Sequence, residues 1–167
     1  MPIRPALLFL ALLLGAPTVQ AQADPHAGHH AAAPADAVQP ADPAQPAIAV
    51  VEDFSAALKA GDLERVGALL AEDVLVLESG GAERSKQEYL AHHAGADADF
   101  LKATHVQVTG RTARIAGDLA WVGTESELHA SKDGSPLTLL SSETMILART
   151  PAGWRIVHIH WSSRPKK

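Results

Sequence analysis

SSETMILARTPAGWRIVHIHWSSRP, residues 141–165, consists of two runs of alternating apolar residues joined by Thr150-Pro151-Ala152-Gly153. Pro and Gly supply the backbone angles that a tight turn needs, so the runs read as antiparallel strands over 137–149 and 154–163. Side chains of a strand alternate between faces. One face of the first strand therefore carries Ser141, Glu143, Met145 and Leu147, and the other carries Thr144, Ile146 and Ala148. In the second strand His158 and His160 share a face, opposite Val157, Ile159 and Trp161. The apolar row is expected to face the interior, with Trp161 at the mouth of a pocket.

Moving towards the N-terminus, the same period predicts strands over 104–109, 111–116 and 119–129, separated by Thr109-Gly110 and Gly117-Asp118. Strands this long must bend, and Gly123 is the expected place for a bulge. Before residue 95 the pattern is helical. Ile48, Val51, Phe54, Ala57 and Leu58 recur at helical spacing over 48–60, and Gly61 ends that helix. Asp62 caps a second helix over 63–70, a strand covers 74–78, and Ser85-Lys86-Gln87-Glu88 is a capping box opening a third helix through residue 93. Helices followed by antiparallel strands indicate an α+β domain with helices packed on one face of a curved sheet.

This domain spans residues 47–165, and two unlike segments precede it. Arg4 followed by the apolar run 6–16, with Ala21-Gln22-Ala23 beyond it, has the form of an export signal cleaved after Ala23. The run is shorter than the roughly 20 residues of a membrane-spanning helix. The expected product is periplasmic or secreted, with no stable membrane anchor once the signal is removed. Residues 24–46, with prolines at 34, 40, 43 and 46 and no large apolar residue but Val38, read as an extended linker. Its start clusters His26, His29 and His30, whose neutral imidazoles are weak candidate ligands for Cu, Ni or Zn.

Across all 167 residues, 14 Lys and Arg stand against 19 Asp and Glu, a net charge of -5 that argues against a general nucleic-acid binder. With no cysteine in the chain, disulfides, thiolate metal sites, a cysteine nucleophile and a lipidated cysteine are all excluded. The domain must be held by its core alone.

Two stretches carry a family resemblance. VVEDFSAALKAGDLERVGALLAEDVLVLES (50–79) and the closing SSETMILARTPAGWRIVHIHWSSRP resemble the nuclear transport factor 2-like (NTF2-like) superfamily, especially its SnoaL-like, ketosteroid-isomerase-like and DUF4440-type members. The second stretch is also similar to the end of the calcium/calmodulin-dependent kinase association domain. The resemblance implies a strongly bent, mainly antiparallel sheet wrapped against N-terminal helices, with a pocket at its wide end. It implies homodimerisation through the outer face of the sheet. It does not imply a reaction, because this fold hosts both enzymes and binding modules.

The residues themselves suggest where chemistry would lie. An isomerase of the ketosteroid type needs a carboxylate base and an oxyanion site built from Tyr and a protonated acid. The only tyrosine, Tyr89, sits beside Ser85, Lys86 and Glu88 in what reads as a solvated helix start, with no matching Asp–Tyr pattern. Glu143 and Glu78 are the carboxylates placed on strands near the expected pocket. Glu143 is equally a candidate for an ion pair with Arg155. Position 145 corresponds by resemblance to a pocket-lining arginine of the kinase domain, so Met145, with Trp121 and Trp161, is a candidate ligand contact. His158 and His160 are read as packing or interface residues. No phosphate loop, nucleophile elbow or His-Glu-x-x-His motif is present, and no cofactor is expected.

Three functions follow. The first is a binding domain for a small apolar ligand, without a catalytic motif. The second is a general acid–base enzyme using Glu143 or Glu78, with Tyr89. The third is a metal-handling protein using His26, His29 and His30. Catalysis predicts a pocket carboxylate that holds its proton more tightly than usual and has no arginine partner, whereas plain binding predicts ion-paired or solvent-facing carboxylates.

Overall fold

The structure, a computed structural model, describes residues 42–167. The expected export signal, the histidines at 26, 29 and 30, and most of the expected linker lie outside the described residues.

Helices α1 (Gln45–Ala60) and α2 (Leu63–Leu69) lead into strands β1 (Leu70–Glu78) and β2 (Gly81–Glu83). Helices α3 (Lys86–His92) and α4 (Ala94–Lys102) follow, then β3 (His105–Ala116), β4 (Leu119–Lys132), β5 (Ser135–Thr150) and β6 (Gly153–Pro165). The strands form one mixed sheet in the order β2-β1-β6-β5-β4-β3, with β1 and β6 parallel and all other neighbours antiparallel. The α+β class expected from the sequence is therefore the class observed.

Local chemistry explains the helix ends. Helix α1 begins before residue 48 because Pro46 falls in its first turn, where a missing N–H removes no helical hydrogen bond. Gly61, at φ +76, closes the helix in the left-handed region that side chains disfavour. Asp62 accepts the Arg65 N–H at 2.9 Å and starts α2. The Ser85 hydroxyl accepts the Glu88 N–H at 3.1 Å, and Glu88 reaches back to the Arg84 N–H at 2.7 Å, one residue beyond the expected box.

Two elements run against the sequence reading. Helix α4 occupies AGADADFLK, whose Gly and Asp residues read locally as a turn. Its small residues Ala94 and Ala98 are buried in the core, and α4 packs against α1, so close packing overrides weak propensity. Strand β2 is too short to register as a period.

The bulges also fall elsewhere. Thr109-Gly110 does not separate two strands; it is a register shift within the single strand β3. Gly123 keeps regular register with both neighbours. A Cβ there would stand 3.2 Å from the Trp121 ring, so glycine leaves room for that ring to lie across the strand. Strand β6 shifts register near Val157, pairing Ile156 with Leu147 and His158 with Ile146. The interior row is consequently Trp154, Ile156, Ile159 and Trp161, with Ile156 fully buried and Val157 only partly so. His158 lies on the other side, its Nδ1 2.9 Å from the Leu75 carbonyl oxygen, and His160 is exposed.

The core lies between the helices and the inner face of the sheet. Phe54, Leu58, Tyr89, Met145, Leu147, Ile156 and Ile159 are its largest fully buried side chains.

Candidate functional site

Register builds the site as a single row across the inner face. Glu78 of β1 pairs with Trp161 of β6, Trp161 with Glu143 of β5, Glu143 with Thr124 of β4, and Thr124 with Arg111 of β3. Directly opposed side chains on one face stand within contact distance. The next row inward is Val76, Ile159, Met145, Val122 and Ala113, which belongs to the core. The next row outward contains Ser163, Ser141, Ser126 and Val108. Arg111 belongs to the inner row only because of the shift at Thr109-Gly110; strict alternation from Val106 and Val108 would turn it outward.

Helices α1 and α4 close a cavity of about 530 Å³ over this polar row. Phe54, Phe100 and Leu101 supply apolar lining to the same cavity as Glu78, Asp97 and Glu143. Phe54 stacks on Trp161 with ring centres 6.4 Å apart, and Tyr89 tilts against the same indole at 6.3 Å.

Two acidic groups lie on either side of Trp161. At one, the Tyr89 hydroxyl donates to Asp97 Oδ2 at 3.0 Å, and both Asp97 and Glu78 face the cavity. Loss of hydration raises the pKa of Glu78, and the charge of Asp97 raises it further. Asp97 is also raised by desolvation, but the Tyr89 hydrogen bond opposes that shift by stabilising the carboxylate. His93, which pairs with the buried carboxylate of Glu83, lowers both. Burial and Asp97 keep the Tyr89 phenol protonated far above its ordinary range.

At the other, the Trp161 indole Nε1–H donates to Glu143 Oε2 at 2.8 Å. Desolvation raises the pKa of Glu143, against the opposing effects of Trp161, the Thr124 hydroxyl and, more remotely, Arg111. Arg111 pairs with Glu52 of α1, and its Nε lies 3.4 Å from Thr124 Oγ1.

The row thus brings together Glu78, Glu143 and Trp161 of the residues singled out from sequence. Tyr89 is corrected from a solvated to a fully buried position, where it supports Asp97 from behind the cavity wall. The expected lack of an Asp–Tyr pattern is corrected too, because the α3–α4 turn joins residues eight apart. Met145 is not a cavity contact, since it lies one row deeper and is fully buried. Trp121 lies on the opposite face, between buried Ala120 and Val122, and is 41% exposed. Arg155 donates to the Trp154 carbonyl and is not the partner of Glu143. Asp97, Thr124 and Arg111 carry no local signal of a site role: the first sits in the unexpected helix, and the other two reach the site only through strand register. Among the described residues no cluster of three or more His, Asp or Glu is arranged to hold a metal ion.

Each raised carboxyl bears on stability. Between the ordinary carboxyl range and the raised native value, the native state keeps a proton that the unfolded chain has released. The contribution to stability is full below the ordinary range and is lost as pH rises through the native pKa. Glu143→Gln is expected to remove its share of this loss. The urea midpoint should fall less for the variant than for the parent as pH rises from the ordinary carboxyl range through the raised native value.

A SnoaL-like domain model matches residues 48–165. A crystal structure of a candidate ketosteroid isomerase from Shewanella frigidimarina is 35% identical, with 70% of this chain and 94% of that one covered and a TM-score of 0.67. The CaMKII hub of S. rosetta matches at 20% identity, with 75% and 100% covered and a TM-score of 0.61. A candidate dehydratase of the NTF2-like family from Streptomyces avermitilis matches at 19% identity, with 72% and 95% covered and a TM-score of 0.57. No curated protein matches the chain.

Proposed function

The chain belongs to the SnoaL-like family, and from that premise we propose that it is a general acid–base catalyst acting on a small, largely apolar carbonyl compound. The sequence alone favours a binding domain without catalysis. The observation that carries the enzyme reading is the Glu78–Asp97 pair. Both carboxyls face one cavity, both hold protons more tightly than usual, and neither has a Lys or Arg partner among the described residues. Similarity to the Shewanella frigidimarina protein supports proton transfer of the isomerase kind.

The environments divide the roles. The Tyr89 hydrogen bond favours ionised Asp97, and the resulting charge favours protonated Glu78. Asp97 is therefore the base that removes a proton from the carbon next to the carbonyl. Glu78 is the acid that donates a hydrogen bond to the carbonyl oxygen as negative charge develops there. Return of the proton to a different carbon completes an isomerisation with no net gain or loss of atoms. Tyr89 is a positioning residue.

The test is incubation of the purified protein with 3-cyclohexen-1-one in deuterium oxide, followed by NMR. Conversion to the conjugated ketone above the buffer rate is expected, with deuterium in the product. No conversion across a panel of such β,γ-unsaturated ketones would return the protein to the binding reading.

The proposal extends to assembly and location. Leu119 and Trp121 are 49% and 41% exposed on β4, and the face carrying Trp121 is the proposed homodimer surface. Trp121→Lys is expected to shift sedimentation from dimer to monomer; an unchanged dimer rules this face out. The signal at residues 1–23 supports export as part of the same proposal.

A further inference from the structure

We propose that Glu143 is the binding subsite for an ammonium group, so that the substrate class is an apolar carbonyl compound that also carries an amine, with its carbonyl end against Glu78 and Asp97. This names the substrate of the acid–base site and rests on that reading.

Neither cation of the cavity wall is paired directly with Glu143. Glu78, Asp97 and Glu143 face the cavity together with Lys59 and Arg111. Both cations are engaged: Lys59 Nζ donates to the Thr104 carbonyl at 3.1 Å, and Arg111 pairs with Glu52. Arg111 reaches Glu143 through Thr124, so the carboxylate has hydroxyl and indole donors but no ion pair of its own among the described residues. A carboxylate offers about four acceptor sites, and the two donors leave some of them free.

The neighbouring groups suit an ammonium ion. Such an ion needs up to three acceptors. The row beside Glu143 supplies hydroxyls at Ser141, Ser163 and Ser126, all lining the same cavity. Phe54 and Trp161 add aromatic surface that favours a cation. An alcohol would use the same acceptors without compensating the buried charge, and an anion would meet like charge. The apolar body of the ligand would lie against Phe54, Phe100 and Leu101.

Calorimetry with three ligands of matched shape tests the inference: 2-(2-naphthyl)ethylamine, 2-(2-naphthyl)ethanol and 2-naphthylacetate. The amine is expected to bind about 10- to 100-fold more tightly than the alcohol, the range of a hydrogen bond to a charged group. The carboxylate is expected not to bind. Glu143→Gln should reduce the amine to the affinity of the alcohol, and Glu143→Asp should keep part of the preference. Equal binding of amine and alcohol, or no binding of the amine, overturns the inference. So does loss of the preference in Asp97→Asn rather than in Glu143→Gln. The comparison on the parent protein decides even if a Glu143 variant fails to fold. Amine preference without ketone isomerisation would sink only the acid–base reading, and isomerisation without amine preference would sink only this one.

Discussion

Replacing Asp97 with Asn is expected to slow ketone isomerisation by about 10²- to 10⁴-fold, the usual contribution of a positioned base. The amide keeps the size of the side chain but cannot take a proton. Glu78→Gln should cost less, because a glutamine amide can still donate to the carbonyl oxygen. Reversal of that order would exchange the two roles. Tyr89→Phe supplies a separate readout. Without its hydroxyl, ionised Asp97 loses the hydrogen bond that favours it. The rise of rate with pH should therefore move to higher pH, whereas a merely structural defect would lower the rate without moving the profile. In Asp97→Asn the Glu78 carboxyl should titrate lower than in the parent, because the Asp97 charge is gone. Desolvation remains, so it should stay above the ordinary range. Carboxyl-carbon NMR reads both shifts without a substrate.

Phe54→Ala is expected to remove about 3–5 kcal/mol of stability, as for other large buried aromatic residues. Phe54 is 1% exposed, belongs to the main core and stacks on Trp161. Truncation would remove apolar burial and leave space between α1 and the polar row. Against a total stability of about 5–15 kcal/mol, the loss should show as a large fall in the urea midpoint with little change in slope. Trp121→Ala is the comparison, since a ring 41% exposed on the outer face has far less packing to lose. A Phe54 variant as stable as the Trp121 variant, measured at a concentration where both are monomeric, would contradict the position of Phe54 in the core.

Much of the fold is legible from local signals. The Gly61-Asp62 junction, the Ser85 cap and the turn at 150–153 all occur where their residue chemistry predicts. The apolar alternation of β4 and β5 likewise marks strands that are strands. Each depends on one residue and its close neighbours, so a single sequence carries the information. Helix α4 was hidden because Gly95, Asp97 and Asp99 weaken a helical pattern, and the burial of Ala94 and Ala98 against other elements becomes visible only after folding. Small residues are ambiguous in sequence, yet they permit the close approach that packing rewards.

The sequence by itself determined an α+β domain, most of its helices and strands, and the shared inward face of Ile159 and Trp161. Those properties follow from periodicity and turn chemistry, which act over a few residues. Tertiary structure alone decided that Glu78, Trp161, Glu143, Thr124 and Arg111 form one row, because that requires the register of five strands and the shift at Thr109-Gly110. It also decided that Tyr89 meets Asp97, that Met145 belongs to the core, and that Trp121 faces outward. Strand register depends on pairing partners far apart in the chain, and a one-residue shift reverses the face of every side chain beyond it.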